Sequence, residues 1–384
     1  MASPGELSSY DLTVGVIVDV DEAIYMYSPE QLPLLTGLAA DGLSVIGSAP
    51  VSQTEFGWFD EENLAPRSET TTVVNSVAVT FVLADQGERD RFQTGDVIAL
   101  RNADNNSTSI DETVLVTGYN GTTDLLVTRD WDSLGTATTL NTSTELIGVG
   151  TALAEGSDPE DFRSLDRVKR TNVTQIFGPY KVEMTRTAQV VPRYGVPDEW
   201  AHQLMNRMYE AAQAQEQAMM YGNSYDDGSS KRTMGGLTQY ITANLDVTNT
   251  QLNVSTIDSN LENCWDKGDL PDRLLTNPKS LTDLNDLDDT TRVRTTIEDP
   301  KRGRVRVMHI ETEWGSLPIV RSRWVSKRDA FGIKRDLVTR RVLRPRVFER
   351  LAKTGDSDSA QFVCEESLQV KGADHMFRMD SLIY

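Results

Sequence analysis

The sequence predicts an α+β protein, and three observations carry that prediction. One long helix with a written start and stop runs over Val196–Tyr221. Short Val-, Thr- and Leu-rich runs cluster between Thr72 and Val149. After the helix, strands and short helices follow one another without regular βαβ alternation. The chain has 384 residues, more than one compact core accommodates, so two or three domains are expected. Hydrophobic residues make up only 38% of it, which suits an extended subunit better than a dense enzyme core. No apolar run reaches the roughly 18 residues of a membrane span. The first residues, MASPGELSSYD, have neither a basic start nor an apolar stretch, so no signal peptide is expected. Without one, the sequons at Asn106, Asn120 and Asn172 read as chance in a Thr-rich chain. Cys264 and Cys364 make neither a zinc site nor a disulfide framework and fit a reducing cytoplasm as small apolar residues.

Residues 1–66 show no sustained period. A short helix fits Asp21–Tyr27, and Pro29 and Pro33 interrupt the residues after it. This reads as an extended arm with few contacts of its own, disordered alone or ordered by draping over neighbours. From Thr70 the pattern turns to β. Thr72–Leu83, Val97–Leu100, Thr113–Thr117, Leu125–Thr128 and Glu145–Val149 read as strands, separated by turn residues at Gln93–Asp96, Asn102–Asn106 and Asn120-Gly121. The Asn-Gly pair favours a tight hairpin. Five short strands make a small all-β module, a barrel or sandwich. Residues 160–195 are polar with β-branched islands at Val173–Phe177, Val182–Thr187 and Ala188–Val191, a long strand or loop leading into the helix.

In the long helix, Pro197 suits the first turn, where its missing N–H costs nothing, and Asp198 and Glu199 oppose the helix dipole. Gly222 ends it. Trp200, Leu204, Met208, Ala211, Gln215 and Met219 recur at helical spacing and form one mostly apolar stripe; Arg207, Glu210, Gln213 and Gln217 lie off it. At 1.5 Å per residue the rod is about 39 Å long, against an average helix of about 12 residues. Such a rod is either the backbone of a flat subunit or an ordinary core helix.

Beyond it, Met234–Leu237 turns the chain back. Ser255-Thr256-Ile257-Asp258 resembles a capping box and opens a helix to about Lys267, with Leu261, Cys264 and Trp265 inward and Gly268 as its stop. Leu274–Thr276 reads as a strand and Pro278–Leu287 as a helix. Arg304–Glu313 and Leu317–Val325 read as strands joined at Trp314–Ser316, and Gln361–Tyr384 again as strand.

The net charge of −20 is unevenly spread. Residues 1–165 hold 27 acids, 6 arginines and no lysine, for −21; residues 291–350 hold 17 bases and 7 acids, for +10. Blocks of opposite sign suit self-association between one region and another on a neighbour, or else are two solvated faces. So acidic a chain is poorly suited to tight non-specific DNA binding.

Catalytic signatures are missing. The sequence contains no Gly-Lys-Ser/Thr, no G-x-G-x-x-G after a strand, no H-E-x-x-H and no G-x-S-x-G. His202, His309 and His375 each stand alone. Asp104–Thr108 begins like a calcium loop, but lacks the glycine at the sixth place and has Leu115 where the bidentate acid belongs. Catalytic, cofactor and metal sites are therefore not expected. The basic run Arg340, Arg341, Arg344, Arg346 and Arg350 could contact phosphate or pair with the acidic third of a neighbour; sparse aromatic interleaving favours the second.

The order of parts is more telling than any motif: an arm, a long loop carrying a β module, one long helix, an α+β region and a strand-rich tail. The stretches FQTGDVI, DLLVTRDW, TNVTQIFGPYKVEMTRTA, RYGVPDEWAHQLMNRMYEAAQAQEQAMMYG, RTMGGLTQYI and LAKTGDSDSAQFVCEESLQV occur in that order. In them the chain resembles tailed-bacteriophage major capsid proteins of the Hong Kong 97-type fold, in the subgroup with a β-rich insertion in the extended loop. The resemblance runs from about residue 55 to the end.

The resemblance implies an N-terminal arm at 1–50 and an extended loop at 51–195 with the insertion at about 70–150. It implies a spine helix and peripheral domain at 196–250, an axial domain at 251–345 and return strands at 346–384. It implies a structural protein of the virion. Copies would form hexamers and pentamers that close an icosahedral head around double-stranded DNA, contacted weakly and without specificity, with assembly in the bacterial cytoplasm and no membrane. A separate scaffolding protein is expected because the chain opens almost directly on the arm; a portal and a possible decoration protein complete the partners. Lys169 and Lys181 fall where some relatives crosslink, but nothing marks either as reactive, and no crosslink is expected.

An arm without a core needs neighbours to bury it, and each large apolar side chain so buried is worth about 1.5–3 kcal/mol before costs. Tyr25, Tyr27, Leu34, Leu35, Phe56, Trp58 and Phe59 are the apolar candidates for intersubunit contact, with Arg340, Arg341, Arg344 and Arg346 as the charged ones. The alternative is a β-rich virion accessory or adhesion protein, which would explain residues 70–150 but not the long helix.

Overall fold

The computed structural model describes residues 32–36, 46–61, 66–101, 112–131, 137, 139–152, 155–156, 167–191, 198–247, 251–280, 309–353 and 355–382. The expected helix at Asp21–Tyr27, the turn at Asn102–Asn106, Pro197 and residues 281–287 of the expected second helix lie outside them. The chain divides into two compact units, Met1–Trp58 with Arg170–Tyr384, and Phe59–Lys169 inserted between them.

In the first unit, a four-residue helix, α1 (Pro33–Thr36), is followed by β1 (Gly47–Pro50). β2 (Glu55–Glu61) pairs with β9 (Arg167–Val173) as a two-stranded sheet, and the boundaries of the inserted unit fall within these strands.

The inserted unit is one antiparallel sheet. Its elements are β3 (Arg67–Glu69), β4 (Thr80–Val82), α2 (Gln86–Arg89), β5 (Asp96–Arg101), β6 (Glu112–Asn120), β7 (Asp124–Thr128) and β8 (Glu145–Thr151), with strand order β3-β8-β5-β6-β7-β4. The Thr71 N–H donates to the Val82 carbonyl at 2.9 Å, so the sheet curls until the residues after one edge strand meet the other edge. Alternation along the strands sends Phe81, Ile98, Leu100, Val114, Leu125 and Leu146 into one buried cluster. Two expectations need correction. Thr72–Leu83 is not one strand: Val74 makes an isolated bridge to Leu140, Asn75–Ala78 turns, and only Thr80–Val82 pairs, because Asn75-Ser76 offers turn chemistry in mid-run. The hairpin after Asn120 is also looser than a two-residue turn, since Asn120 pairs with Asp124 and Gly121 takes φ 73°.

The remainder of the first unit comprises β10 (Gln175–Thr185), α3 (Arg186–Val190), α4 (Glu199–Tyr221), β11 (Tyr225–Asp226), β12 (Arg232–Thr233), α5 (Leu237–Tyr240), β13 (Leu245–Asp246) and α6 (Val254–Asp266). After α6 come β14 (Arg273–Thr276), β15 (His309–Thr312), β16 (Gly315–Arg321), β17 (Ala330–Ile333), β18 (Val338–Arg350), β19 (Ser357–Val370) and β20 (Phe377–Met379). One sheet has the order β1-β18-β19-β10, and another β13-β20-β17-β14-β16-β15.

The long helix is present as α4, 23 residues, capped by the Asp198 side chain, which accepts from the Ala201 N–H at 3.1 Å, and closed at Gly222. Its burial is uneven. Ala211, Gln215, Glu216, Met219 and Met220 are buried, whereas Met208, expected on the inward stripe, is exposed. The cluster that receives α4 contains Met234, Leu237, Phe331, Phe362 and Cys364 and meets only its C-terminal turns. There the Gly235-Gly236 turn comes close: a Cβ on Gly236 would lie 2.7 Å from the carbonyl oxygens of Ala218 and Met219.

In α6 the cap is Asn253 rather than Ser255; its side chain accepts from the Thr256 N–H at 2.7 Å. Leu261 and Cys264 are buried as expected, but Trp265 is exposed, tilted against Trp314 at 5.7 Å. Ala188–Val191 closes α3 instead of extending a strand, with Thr185 as its cap. The basic run from 340 proves to be most of β18, which pairs with β19 in the most extensive antiparallel ladder of the unit.

Candidate functional site

Among the described residues, no group of His, Cys, Asp and Glu is placed to hold a metal, and no helix is long and apolar enough to cross a membrane. A cleft of 620 Å³ beside α3 and the start of α4 is lined by Asp198, Glu199, Lys353 and Asp358 with Val190 and Trp200. Its polar groups already have tasks: Asp198 caps α4, and Lys353 pairs with Asp358 at 2.6 Å. It offers neither a nucleophile–base pair nor an oxyanion donor set.

The chemistry of the first unit lies instead in buried polar groups that bind distant segments of the chain to one another. β19 carries two consecutive acids, Glu365 and Glu366, both buried. Glu365 accepts from Arg232 at 2.8 Å, from the Thr174 hydroxyl at 2.7 Å and from Arg344 at 3.0 Å. Glu366 lies 3.7 Å from Arg346 and 3.8 Å from Arg340. Arg346 also donates to Gln215 of α4 at 2.6 Å, and Arg341 donates to Gln369 at 2.7 Å. Buried carboxylates require such partners, because desolvation otherwise outweighs their attraction. The four arginines singled out from sequence therefore all have partners in their own chain. Arg344 remains half exposed, as the outer rim of this seam.

A second node is Asn172, fully buried. It donates to the carbonyls of Gly235 at 3.0 Å and Leu368 at 2.6 Å, and accepts from the N–H groups of Gly235 at 2.8 Å and Val173 at 2.9 Å. A third is Glu216. It accepts from the Leu34 N–H at 2.9 Å and the Leu35 N–H at 3.1 Å, which fastens α1 to α4. Burial pushes its carboxyl up to about 7, against the opposing pull of these two donors. Sequence reasoning missed all three. The available signal was weak: Glu216 adjoins Gln215 on the inward stripe, and an acid there demands a donor from elsewhere.

The aromatic candidates divide. Tyr25 and Tyr27 lie outside the described residues. Trp58 is buried in its own unit, 5.4 Å from the ring of Tyr240, with half-buried Phe56 stacked at 5.9 Å. Phe59 is 66% exposed. Of the histidines, His202 is half-buried on α4, His309 opens β15 and His375 lies in a 3₁₀ turn before β20.

Against known proteins, the family model described as SU10 major capsid protein matches residues 6–382. The accessory-module alternative, confined to residues 70–150, does not account for a match of that span. No curated protein matches the chain in sequence. Among solved structures, a chain of Mycobacterium phage Bobi is similar at 8% identity and TM-score 0.52, covering 99% of both chains. One of Microbacterium phage Oxtober96 is similar at 12% identity and TM-score 0.51, covering 98% of this chain and 99% of that one. One of Mycobacterium phage Adephagia is similar at 10% identity and TM-score 0.50, covering 99% of both. At these identities the likeness is one of fold.

Proposed function

The chain belongs to the SU10 major capsid protein family, and from that premise we propose how its parts build a shell. It is a major capsid protein of a tailed bacteriophage, a structural protein and not an enzyme. Copies associate as hexamers and pentamers into an icosahedral head that encloses double-stranded DNA. The fold is the Hong Kong 97 type, in the subgroup with a β insertion in the extended loop. α4 serves as the spine helix, residues 1–50 as the arm, 51–195 as the extended loop with its insertion at about 70–150, and 251–345 as most of the axial domain.

The observation that carries this reading is the family match over residues 6–382, which spans both compact units. The inserted unit, Phe59–Lys169, with its own sheet and core, supports the insertion. Exposed Phe59 supports an intersubunit contact from the loop, and half-exposed Arg344 supports a charged one from β18; Tyr25, Tyr27, Arg340, Arg341 and Arg346 belong to the same proposal. The partners are a scaffolding protein, a portal, a possible decoration protein and weakly held DNA, with assembly in the host cytoplasm.

The test is to express the chain alone and with its genomic neighbours, and to image gradient fractions by electron microscopy. Closed shells, or rings of five and six subunits, are the expected result. A monomer or small oligomer at every salt concentration and with every neighbour would refute the proposed assembly.

A further inference from the structure

α4 carries four methionines, Met205, Met208, Met219 and Met220, and they fall into two environments. Met219 and Met220 are fully buried, whereas Met205 is 51% and Met208 53% exposed. Helix geometry sharpens the contrast. Met208 and Met219 are about three turns apart and lie within about 20° of each other around the axis. Met205 lies on the same side, about one turn before Met208. The face that meets the core under the C-terminal turns of α4 therefore runs on past that core, and its thioethers there stand in water. Ala201 and Ala212 flank them at helical spacing, with side chains too small to cover a thioether. Among the other described residues, Met234, Met376 and Met379 are fully buried and Met184 is half-buried. The thiols of Cys264 and Cys364 are buried as well. The most exposed sulfur of the described chain is thus concentrated at one end of one helix.

We propose that Met205 and Met208 form an oxidation site on α4 that takes up oxygen from hydrogen peroxide. A thioether needs no deprotonation to act as a nucleophile, so access decides which sulfur reacts. A sulfur lone pair attacks one peroxide oxygen, an S–O bond forms and the O–O bond breaks. The leaving oxygen departs as water once the two protons are placed on it. Each sulfur loses two electrons and each peroxide gains them, giving one sulfoxide and one water.

The change is confined to the surface. A sulfoxide at Met205 or Met208 keeps its new oxygen in water, so the packing of the C-terminal turns against Leu237, Phe331 and Phe362 stays intact. The same oxygen on Met219 or Met220 would enter that apolar cluster without a hydrogen-bond partner. Oxidation thus turns an uncovered apolar stretch of α4 into a polar, chiral one, and reductases specific for the two sulfoxide epimers reverse it.

The experiment treats the full unassembled chain with hydrogen peroxide at neutral pH and follows each methionine by peptide mass mapping. In the native chain Met205 and Met208 should gain one oxygen each at least about tenfold faster than Met219 and Met220. In guanidinium the four should react alike, because burial no longer separates them. Circular dichroism of the native chain should not change when the fast pair is fully oxidised. Equal native rates overturn the proposal. So does a rate order that survives unfolding, since local sequence and not burial would then set it. Loss of the native dichroism on oxidation of the fast pair would overturn its confinement to the surface. The readout does not depend on shell formation, so it can fail or succeed separately from the assembly reading.

Discussion

Arg129 and Glu112 form a buried ion pair in the inserted unit: the guanidinium Nε donates to the carboxylate at 2.7 Å, with the two side chains only 6% and 2% exposed. The same carboxylate accepts from the Asp130 N–H at 2.8 Å, where the chain takes a left-handed turn at φ 50°. Arg129 also donates to the Asn75 carbonyl and covers the ring of Phe81. One pair thus connects β6, the end of β7 and the irregular segment before β4.

Removing one partner strands a buried charge. Arg129→Met should destabilise the inserted unit by about 3–5 kcal/mol. Calorimetry should show a lowered transition for that unit, and exchange protection across β5 to β7 should fall. Replacing both residues, Arg129→Met with Glu112→Leu, should recover part of the loss, because no uncompensated charge remains.

Asn172 satisfies four hydrogen-bond positions at once. Asn172→Leu leaves the Leu368 carbonyl and the main chain of Gly235 without partners in a buried site. The expected cost is about 2–4 kcal/mol, read from the midpoint of denaturant unfolding. Asn172→Asp should fare no better, since it loses both donors and buries a charge.

Cys264 and Cys364 are both buried, and burial pushes their thiols up to about 12 and about 11. Neither should react with iodoacetamide in the native chain at neutral pH, and both should react once the chain is unfolded in guanidinium. Rapid native labelling of Cys364 would mean that the contact between α4 and β19 opens.

Phe59 faces solvent on β2 in the single chain. Phe59→Ser should leave the unfolding free energy of the unassembled subunit within about 0.5 kcal/mol of wild type. The same substitution should sharply lower the yield of shells on gradients. Equal yields from both proteins would remove Phe59 from the intersubunit contacts.

The sequence by itself determined the α+β class, the long helix to within three residues at its start, most strands of the inserted unit and the family. Those features rest on local rules: period, turn chemistry and caps act over a few residues and leave direct traces. Gly222 marked the end of α4, and Asp198, legible as an acid at its start, is its cap. Tertiary structure decided which part of that helix is buried, because Met208 and Met219 carry the same periodic signal while the core lies only under the second. It also decided the partners of the basic run. Arg340, Arg344 and Arg346 read as charges in search of a neighbouring subunit, yet Glu365 and Glu366 reach them through strand pairing across the turn between β18 and β19. Glu216 shows the same limit most sharply. Its partners are main-chain N–H groups 182 and 181 residues away, which every residue but proline possesses, so no side-chain pattern could have pointed to them.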